Sequence, residues 1–269
     1  MNVANRKWLV PVLVVGLGAV FAESAIAVPI TFSAAGSNAA SIQSTVDTFR
    51  AALGGPDNGT AAGTQPSGRR ELDWDFHTTG TVTFTSPTTS NFFEGHGAVL
   101  TTPGTGFLIF PYGDEPFSSP NVLSPIGSNV LDVFFTVPLT ADPAATRGFG
   151  AVFTDVDLAA TTSLSFFDSA NNSLGTFYAS TFNNGLSFLG VTFTDPLEMI
   201  ARARITLGTT SGADVVSLDD LMFGEPSAIE TTPPPQSVPE PGTLALFGLA
   251  LAGLGFARRR RAAPGVRTP

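Results

Sequence analysis

Residues 200–207 read Ile-Ala-Arg-Ala-Arg-Ile-Thr-Leu, and this stretch indicates the fold class most clearly. Its side chains alternate with a period of two, which places Arg202 and Arg204 on one face. Successive side chains of a β-strand point to opposite faces of a sheet, so the alternation predicts a half-buried strand. Residues 81–85, Thr-Val-Thr-Phe-Thr, follow the same pattern.

From Glu71 onward the chain consists of short segments rich in Phe, Thr and Val, with turn residues between them. These residue types fit a pleated, half-buried surface. Asn171-Asn172-Ser173 and Asn183-Asn184-Gly185 are typical of hairpin turns. Many short strands without helices between them predict a mainly β fold. We expect a β-sandwich of jelly-roll type over residues 28–226.

One short amphipathic helix is expected near the start of this domain, close to residues 39–53. Ile42, Val46, Phe49 and Leu53 recur at the spacing of one helix face. Gly54-Gly55 follows directly, and glycine commonly ends a helix. A first strand is expected ahead of the helix, at residues 28–33.

The N-terminus has the pattern of a secretory signal peptide. Arg6 and Lys7 precede an apolar run from Trp8 to Ala22, and Ala25-Ile26-Ala27 is a small-x-small cleavage signature. We therefore expect residues 1–27 to form a signal helix that signal peptidase removes after the secretion machinery has engaged the chain.

The C-terminus combines a proline-rich motif, an apolar run and a basic end. Val-Pro-Glu-Pro-Gly-Thr at 238–243 precedes an apolar run at 244–257 and four arginines at 258–261. The sixteen uncharged residues 242–257 span about 24 Å as a helix, a marginal length for a hydrocarbon core of ~30 Å. The arginines favour the cytoplasm, so residues 262–269 form a cytoplasmic tail and everything before Pro239 lies outside. A plain membrane anchor behind a proline-rich linker, residues 227–238, is the alternative interpretation.

This order of parts resembles the PEP-CTERM sorting signal of exported bacterial proteins, a tail also catalogued as an ice-binding-protein C-terminal domain. The resemblance covers residues 239–261. It implies that an exosortase-type membrane protease recognises Pro239, Glu240 and Pro241 as substrate and cleaves nearby. The resemblance also implies that the protein comes from a Gram-negative bacterium and is anchored in the membrane only transiently. Its final location would be the cell surface or the extracellular matrix, in association with exopolysaccharide.

Segments 148–157 and 184–191 resemble those of many uncharacterised exported PEP-CTERM proteins. That group implies no established enzymatic role. Ice binding is not indicated either, because Thr81, Thr83 and Thr85 are too few to form a regular threonine ladder.

The charge of the exported part excludes some partners. Residues 28–238 hold six basic and twenty acidic residues, a net charge of −14, whereas the whole chain has −9. Nucleic acid is not expected as a partner, because its affinity comes mainly from Lys and Arg on phosphate. Calcium or a neutral polysaccharide fits better. The chain has no cysteine, which excludes disulfides and thiol chemistry.

Calcium is the cofactor that the acidic residues suggest, because it prefers oxygen ligands from carboxylates and carbonyls. The candidate ligands occur as three pairs, and the first and last strands of a jelly roll can bring such pairs together. The pairs are Asp155 with Asp157, Asp219 with Asp220, and Asp73 with Asp75. The alternative is that they are strand-end aspartates, solvated or paired with Arg69, Arg70 or Arg147.

Trp74 is the candidate for ligand binding, because it is the only tryptophan after the signal peptide and aromatic faces stack on sugars. Enzyme motifs are missing: His77 and His96 lack zinc-site spacing, and the sequence has no G-x-S-x-G. We expect a non-catalytic surface or matrix protein, and polysaccharide is its candidate ligand. A secreted glycan-acting hydrolase is the alternative, and it would need two facing carboxylates.

Overall fold

The computed structural model describes residues 28–75, 82–84, 89–113, 116–195 and 199–229. The predicted signal helix and the predicted transmembrane segment lie outside these ranges and stay predictions. Among the described residues, none of the helices combines the length and the apolar character that a membrane crossing needs. The compact unit that contains the domain ends at Ala228.

The described domain contains sixteen strands, one α-helix and a 3-10 helix. In chain order they are β1 (Ile30–Gly36), α1 (Ala39–Leu53), β2 (Arg69–Leu72), β3 (Val82–Phe84), β4 (Thr89–Ser90), the 3-10 helix (Asn91–His96), β5 (Ala98–Thr101), β6 (Gly106–Pro111), β7 (Asn121–Ile126), β8 (Val130–Thr136), β9 (Pro143–Ala145), β10 (Gly148–Val156), β11 (Ser163–Phe167), β12 (Ser173–Tyr178), β13 (Phe182–Thr192), β14 (Arg202–Thr206), β15 (Ser217–Gly224) and β16 (Ser227–Ala228).

The strands form two antiparallel sheets of eight strands each. Sheet A has the order β1-β13-β10-β15-β7-β6-β3, and β2 also pairs with β15. Sheet B has the order β12-β11-β14-β8-β5-β4, with β9 beside β8 and β16 beside β9. The predicted mainly β, sandwich-type fold is thereby confirmed, whereas its assignment to the jelly-roll class stays a prediction.

The alternation in residues 200–207 corresponds to β14. Ala203 and Ile205 are buried, and the two arginines lie on the opposite face. Arg204 stands opposite Asp132 of β8 in the register, and both arginines bind that carboxylate. The contacts are 3.0 Å from Arg202 Nη1 to Asp132 Oδ1 and 2.8 Å from Arg204 Nη2 to Oδ2. The predicted strand and its polar face are confirmed.

The main core is rich in phenylalanine rings from both sheets. Phe149 and Phe223 of sheet A lie with ring centroids 6.5 Å apart, and Phe135 of sheet B packs 5.2 Å from Phe223. Phe166 of sheet B meets Phe149 edge-on at 6.1 Å. Phenylalanine thus fills the space between the sheets, as its abundance predicts.

The helix α1 forms a second, smaller core on the outer face of sheet A. Asn38 caps its first turn by accepting a hydrogen bond from the backbone N–H of Ser41 at 3.1 Å. Its buried residues, Ile42, Val46 and Phe49, are among those predicted from the spacing. Because this helix covers the sheet, sheet A is buried on both faces where β10, β13 and β15 run.

Phe49 fits onto sheet A because two glycines face each other beneath it. Gly150 of β10 and Gly190 of β13 are register partners. A Cβ at Gly150 would lie 2.6 Å from the Phe49 ring, and a Cβ at Gly190 would lie 2.7 Å from it. The two glycines therefore create the recess that seats the helix.

Two sequence-based boundaries differ from the structure. Residues 183–185, expected in a hairpin turn, lie within β13, where the Asn184 N–H donates to the Asp155 carboxylate at 2.7 Å. The domain also extends past residue 226, because Ser227–Ala228 pairs with β9. Both differences arise from partners distant in the chain, which local patterns do not encode.

Gly190→Ala should destabilise the domain by about 1–3 kcal/mol, because the added methyl group overpacks the recess under Phe49. Denaturant unfolding of the exported protein measures the change. Gly113→Ala is the matched control, because a Cβ there meets nothing within 4 Å. If the two variants are equally stable, Phe49 does not pack closely against Gly190.

Candidate functional site

A cavity of about 470 Å³ opens between the end of β2 and the 3-10 helix. Small-molecule sites commonly have ~300–1,000 Å³, so this cavity is the candidate functional site. The loop after α1 supplies one wall, the end of β2 a second, and the 3-10 helix a third. Its lining residues are Thr60, Glu71, Leu72, Asp73, Phe93, Gly95 and His96.

Glu71 is held by two arginines. The Arg50 guanidinium donates to its carboxylate from Nε at 3.0 Å and from Nη2 at 2.6 Å, and Arg69 Nε donates at 2.5 Å. The negative charge of Glu71 is therefore balanced within the wall. Asp73, in contrast, is exposed and, among the described residues, accepts a hydrogen bond only from the nearby N–H of Asp75, at 3.2 Å.

His96 contributes a neutral imidazole. Burial lowers the pKa of His96 below the ordinary value of 6.5, and the positive charge of Arg70 lowers it further. The negative charge of Asp57 raises the pKa but does not outweigh burial. Its Nδ1 atom is buried and has no hydrogen-bond partner in the part of the chain that the structure describes. His96 is therefore uncharged at neutral pH and is not paired with a carboxylate through Nδ1.

Trp74 belongs to the core beneath the cavity. Its side chain has no exposed area, and its Nε1–H donates to the Leu218 carbonyl at 3.0 Å. The ring packs edge-on against Phe93, with centroids 5.2 Å apart. The structure corrects the prediction that Trp74 binds a ligand, because no face of the ring is free to stack on a sugar.

Two of the three predicted aspartate pairs do come together. β2 pairs with β15, with Leu72 opposite Leu221, so residues 73–75 follow a strand beside Asp219 and Asp220. Burial is the main cause that raises the pKa values of this β15 pair, and the charges of Asp75 on Asp219 and of Asp73 on Asp220 raise them further. The two pairs are brought near each other by β2 and β15, and not by the first and last strands as predicted, since β1 pairs with β13 and β16 with β9.

The carboxyl groups of Asp219 and Asp220 hold the loop before β7. Asp219 accepts hydrogen bonds from the backbone N–H groups of Phe117 and Ser118. The Ser118 hydroxyl lies 3.2 Å from Asp219 and 2.6 Å from Asp220. Since this hydroxyl has one hydrogen, it donates to only one of the two carboxyl groups at a time.

Burial makes both β15 aspartates weaker acids. It raises the pKa of Asp219 from 3.8 to about 6, although the hydrogen bonds from Phe117 and Ser118 lower it. Burial, and then the charge of Asp219, raise the pKa of Asp220 well above its ordinary value. The pair therefore retains protons at mildly acidic pH.

The third pair, Asp155 and Asp157, lies at a different place, beside Asp214. Asp155 has a positive φ of 57° at an irregularity of β10, and Asp214 Oδ1 accepts the Asp157 N–H at 3.0 Å. Desolvation and the charges of Asp155 and Asp214 raise the pKa of the Asp157 carboxyl. The three pairs therefore do not form one site.

No three His, Asp or Glu side chains of the described residues are grouped so that they can hold a metal ion. Calcium binding by the aspartates stays a prediction. The alternative pairing with Arg69 or Arg70 is not observed, because these arginines bind Glu71 and Glu225 instead.

The buried pair of Arg70 and Glu225 was not foreseen from the sequence. Arg70 Nη2 lies 2.7 Å from Glu225 Oε1, and the Arg70 side chain has no exposed area. Arg70 also donates to the carbonyls of Gly59 at 2.7 Å and Gly63 at 3.2 Å. It thereby fixes the loop that carries Thr60 over the cavity. The adjacent arginines 69 and 70, which begin β2, were the only sequence signal.

A PEP-CTERM protein-sorting motif matches residues 237–261. Pro239, Glu240 and Pro241 fall within it and outside the described residues. The motif indicates a protein that is exported, held transiently in the membrane and processed by an exosortase. No curated protein matches the chain.

One solved structure that matches is the crystal structure of the enzymatically active domain of tailspike protein 4 from bacteriophage CBA120. The two share 12% identity, over 61% of this chain and 20% of that chain, at a TM-score of 0.18. This likeness is too low to support an argument about fold or function.

The raised pKa of Asp219 predicts a domain that loses stability as the pH rises from about 4 to above 6. The folded state holds the proton more tightly than the unfolded state, so the stabilisation is full below pH 3.8 and lost above about pH 6. A change from 3.8 to about 6 corresponds to about 3 kcal/mol.

Unfolding free energies of the wild type and Asp219→Asn, measured between pH 4 and pH 8, test this. The variant should show a smaller loss with rising pH than the wild type. Asp142→Asn, at an exposed aspartate, is the control and should follow the wild type. Parallel curves for all three proteins would contradict the assignment.

Proposed function

We propose that this protein is an exosortase substrate that reaches the cell surface or the extracellular matrix, where its β-sandwich acts as a non-catalytic binding domain associated with polysaccharide. In this scheme the secretion machinery exports the chain, signal peptidase removes residues 1–27, and the C-terminal segment holds the protein in the membrane. Exosortase then cleaves near Pro239 and releases the domain.

The sorting motif is the observation that carries this proposal. Its match covers residues 237–261, which include the Pro-Glu-Pro sequence, the apolar run and the four arginines. Pro fixes φ and lacks an N–H, so a Pro-Glu-Pro segment favours an extended backbone that a protease can bind. Glu240 is thus part of a substrate and has no catalytic role of its own.

The hydrogen-bond partners of the cavity residues Glu71 and His96 support a non-catalytic domain. A general acid or base needs a group that is free to exchange its proton with the substrate. Glu71 accepts hydrogen bonds from the guanidinium groups of Arg50 and Arg69, so both of its carboxylate oxygens are already engaged by the protein. Within the described part of the chain, no carboxylate binds His96 Nδ1 to orient the ring.

A glycan-acting hydrolase is the second candidate, and one observation favours it: Glu71 and Asp73 line the same cavity. In this case Asp73, the exposed carboxylate, would be the reacting group. Release of reducing ends from the producer's own polysaccharide, abolished in Asp73→Asn, would establish the hydrolase. If the wild type releases no reducing ends, the hydrolase is ruled out and the non-catalytic binding domain stands.

Glu240→Ala should lower the released fraction at least tenfold and leave the full-length protein in the inner membrane, because exosortase loses the charged centre of its motif. Immunoblots of membrane and medium fractions from the producing bacterium measure this. Glu230→Ala is the matched control, since it removes an acidic residue from the linker and leaves the motif intact. Normal release of Glu240→Ala would disprove the proposed processing.

A further inference from the structure

Arg147 differs from the other arginines of the described residues. Five of the six, at positions 50, 69, 70, 202 and 204, form an ion pair with a carboxylate. Arg147 is exposed, and none of the described residues forms an ion pair or a side-chain hydrogen bond with its guanidinium. In an exported part with a net charge of −14, an unpaired cation is unexpected and suggests an external partner.

Arg147 lines a groove of about 210 Å³. Glu225 is the one carboxylate among the described residues of this lining, and it is already saturated, because its two oxygens accept hydrogen bonds from Arg70, Asn58 and the Gln65 N–H. Glu225 therefore does not compete for Arg147, and the unbalanced charge of the groove is positive.

The backbone presents Arg147 from a fixed position. Thr146 and Ile200 exchange two backbone hydrogen bonds, at 2.9 Å and 2.8 Å. The Phe193 N–H donates to the Arg147 carbonyl at 2.8 Å. Because both sides of Arg147 are held, only its side chain has to be ordered when a ligand binds, which limits the entropic cost.

The rest of the lining matches a small polar ligand with an apolar face. Ser67 and Ser227 provide hydroxyl groups, whereas Leu53, Pro66 and Met199 provide apolar surface. The volume lies below the ~300–1,000 Å³ of most small-molecule sites, so the groove suits one ring or an end group. A guanidinium binds a carboxylate with two parallel hydrogen bonds.

We propose that this groove binds a sugar carboxylate, a uronate, with its carboxylate on Arg147 and its hydroxyls near Ser67 and Ser227. The site is separate from the cavity at β2. The inference rests on the proposed association of the folded domain with polysaccharide and names the class of sugar, whereas it does not depend on the proposed processing by exosortase.

The test is an NMR titration of the isotope-labelled exported protein in its processed form, at 0.15 M salt, with D-glucuronate, D-glucose and acetate as probes. Glucuronate should shift the Arg147 Nε–H signal and bind at least tenfold more tightly than glucose, which lacks the carboxylate. It should also bind more tightly than acetate, which lacks the hydroxyls.

Arg147→Gln should weaken glucuronate binding about tenfold or more, with unchanged thermal unfolding because the side chain is exposed. Arg204→Gln is the matched control, because Arg204 is a partly exposed arginine of sheet B that does not line the groove. This variant should bind glucuronate as the wild type does. Equal binding of glucose and glucuronate, or unchanged binding by Arg147→Gln, would overturn the site. Equal binding of acetate would overturn its assignment to a sugar.

Discussion

Burial of β15 on both faces is the constraint on which the domain depends. All eight of its residues are buried, and the strand pairs with β10, β2 and β7. Apolar side chains of β15 enter both cores: Leu221 and Phe223 the one between the sheets, and Met222 the one under α1. Two aspartates on such a strand are costly to ionise, which explains why they retain protons and accept hydrogen bonds from the loop before β7.

Charged side chains of the domain hold two loops against the sheets: Arg70 holds the loop after α1, and Asp219 and Asp220 hold the loop before β7. Arg70 and Glu225 form an ion pair that is almost fully removed from water, and the pair gathers the loop after α1 through Gly59 and Gly63. A buried pair of this kind gives little net stability, but it strongly disfavours conformations that leave one charge unpaired. The geometry of the cavity wall thus follows from one ion pair outside the cavity.

Sequence patterns predicted the elements that are determined locally. The period of two in β14 and the spacing of Ile42, Val46 and Phe49 in α1 result from side-chain directions within one segment. The juxtaposition of residues 73–75 with Asp219 and Asp220 was predicted from pairing of the first and last strands of a jelly roll, whereas the strands that pair are β2 and β15. Residues 183–185 were predicted as a turn, and Asn184 does have a positive φ, but the segment is an irregularity within β13, because Phe182 and Leu186 on either side pair with Val156 and Thr154 of the distant β10. The burial of Trp74, the partner of Arg70 and the groove at Arg147 depend on packing between distant segments, which composition and spacing do not encode.

The position of β15 in the chain has a consequence for the timing of folding during export. β15 lies between the β1-β13-β10 and β7-β6-β3 parts of sheet A, yet it is the last long strand of the domain. A chain that crosses the membrane from its N-terminus exposes these two parts before the strand that joins them has emerged. Sheet A is therefore completed late, when the apolar run at 244–257 is only about 20 residues behind Gly224. In the proposed export scheme, completion of the sheet and arrest of the chain in the membrane nearly coincide, so the protease would meet a substrate whose domain has just closed.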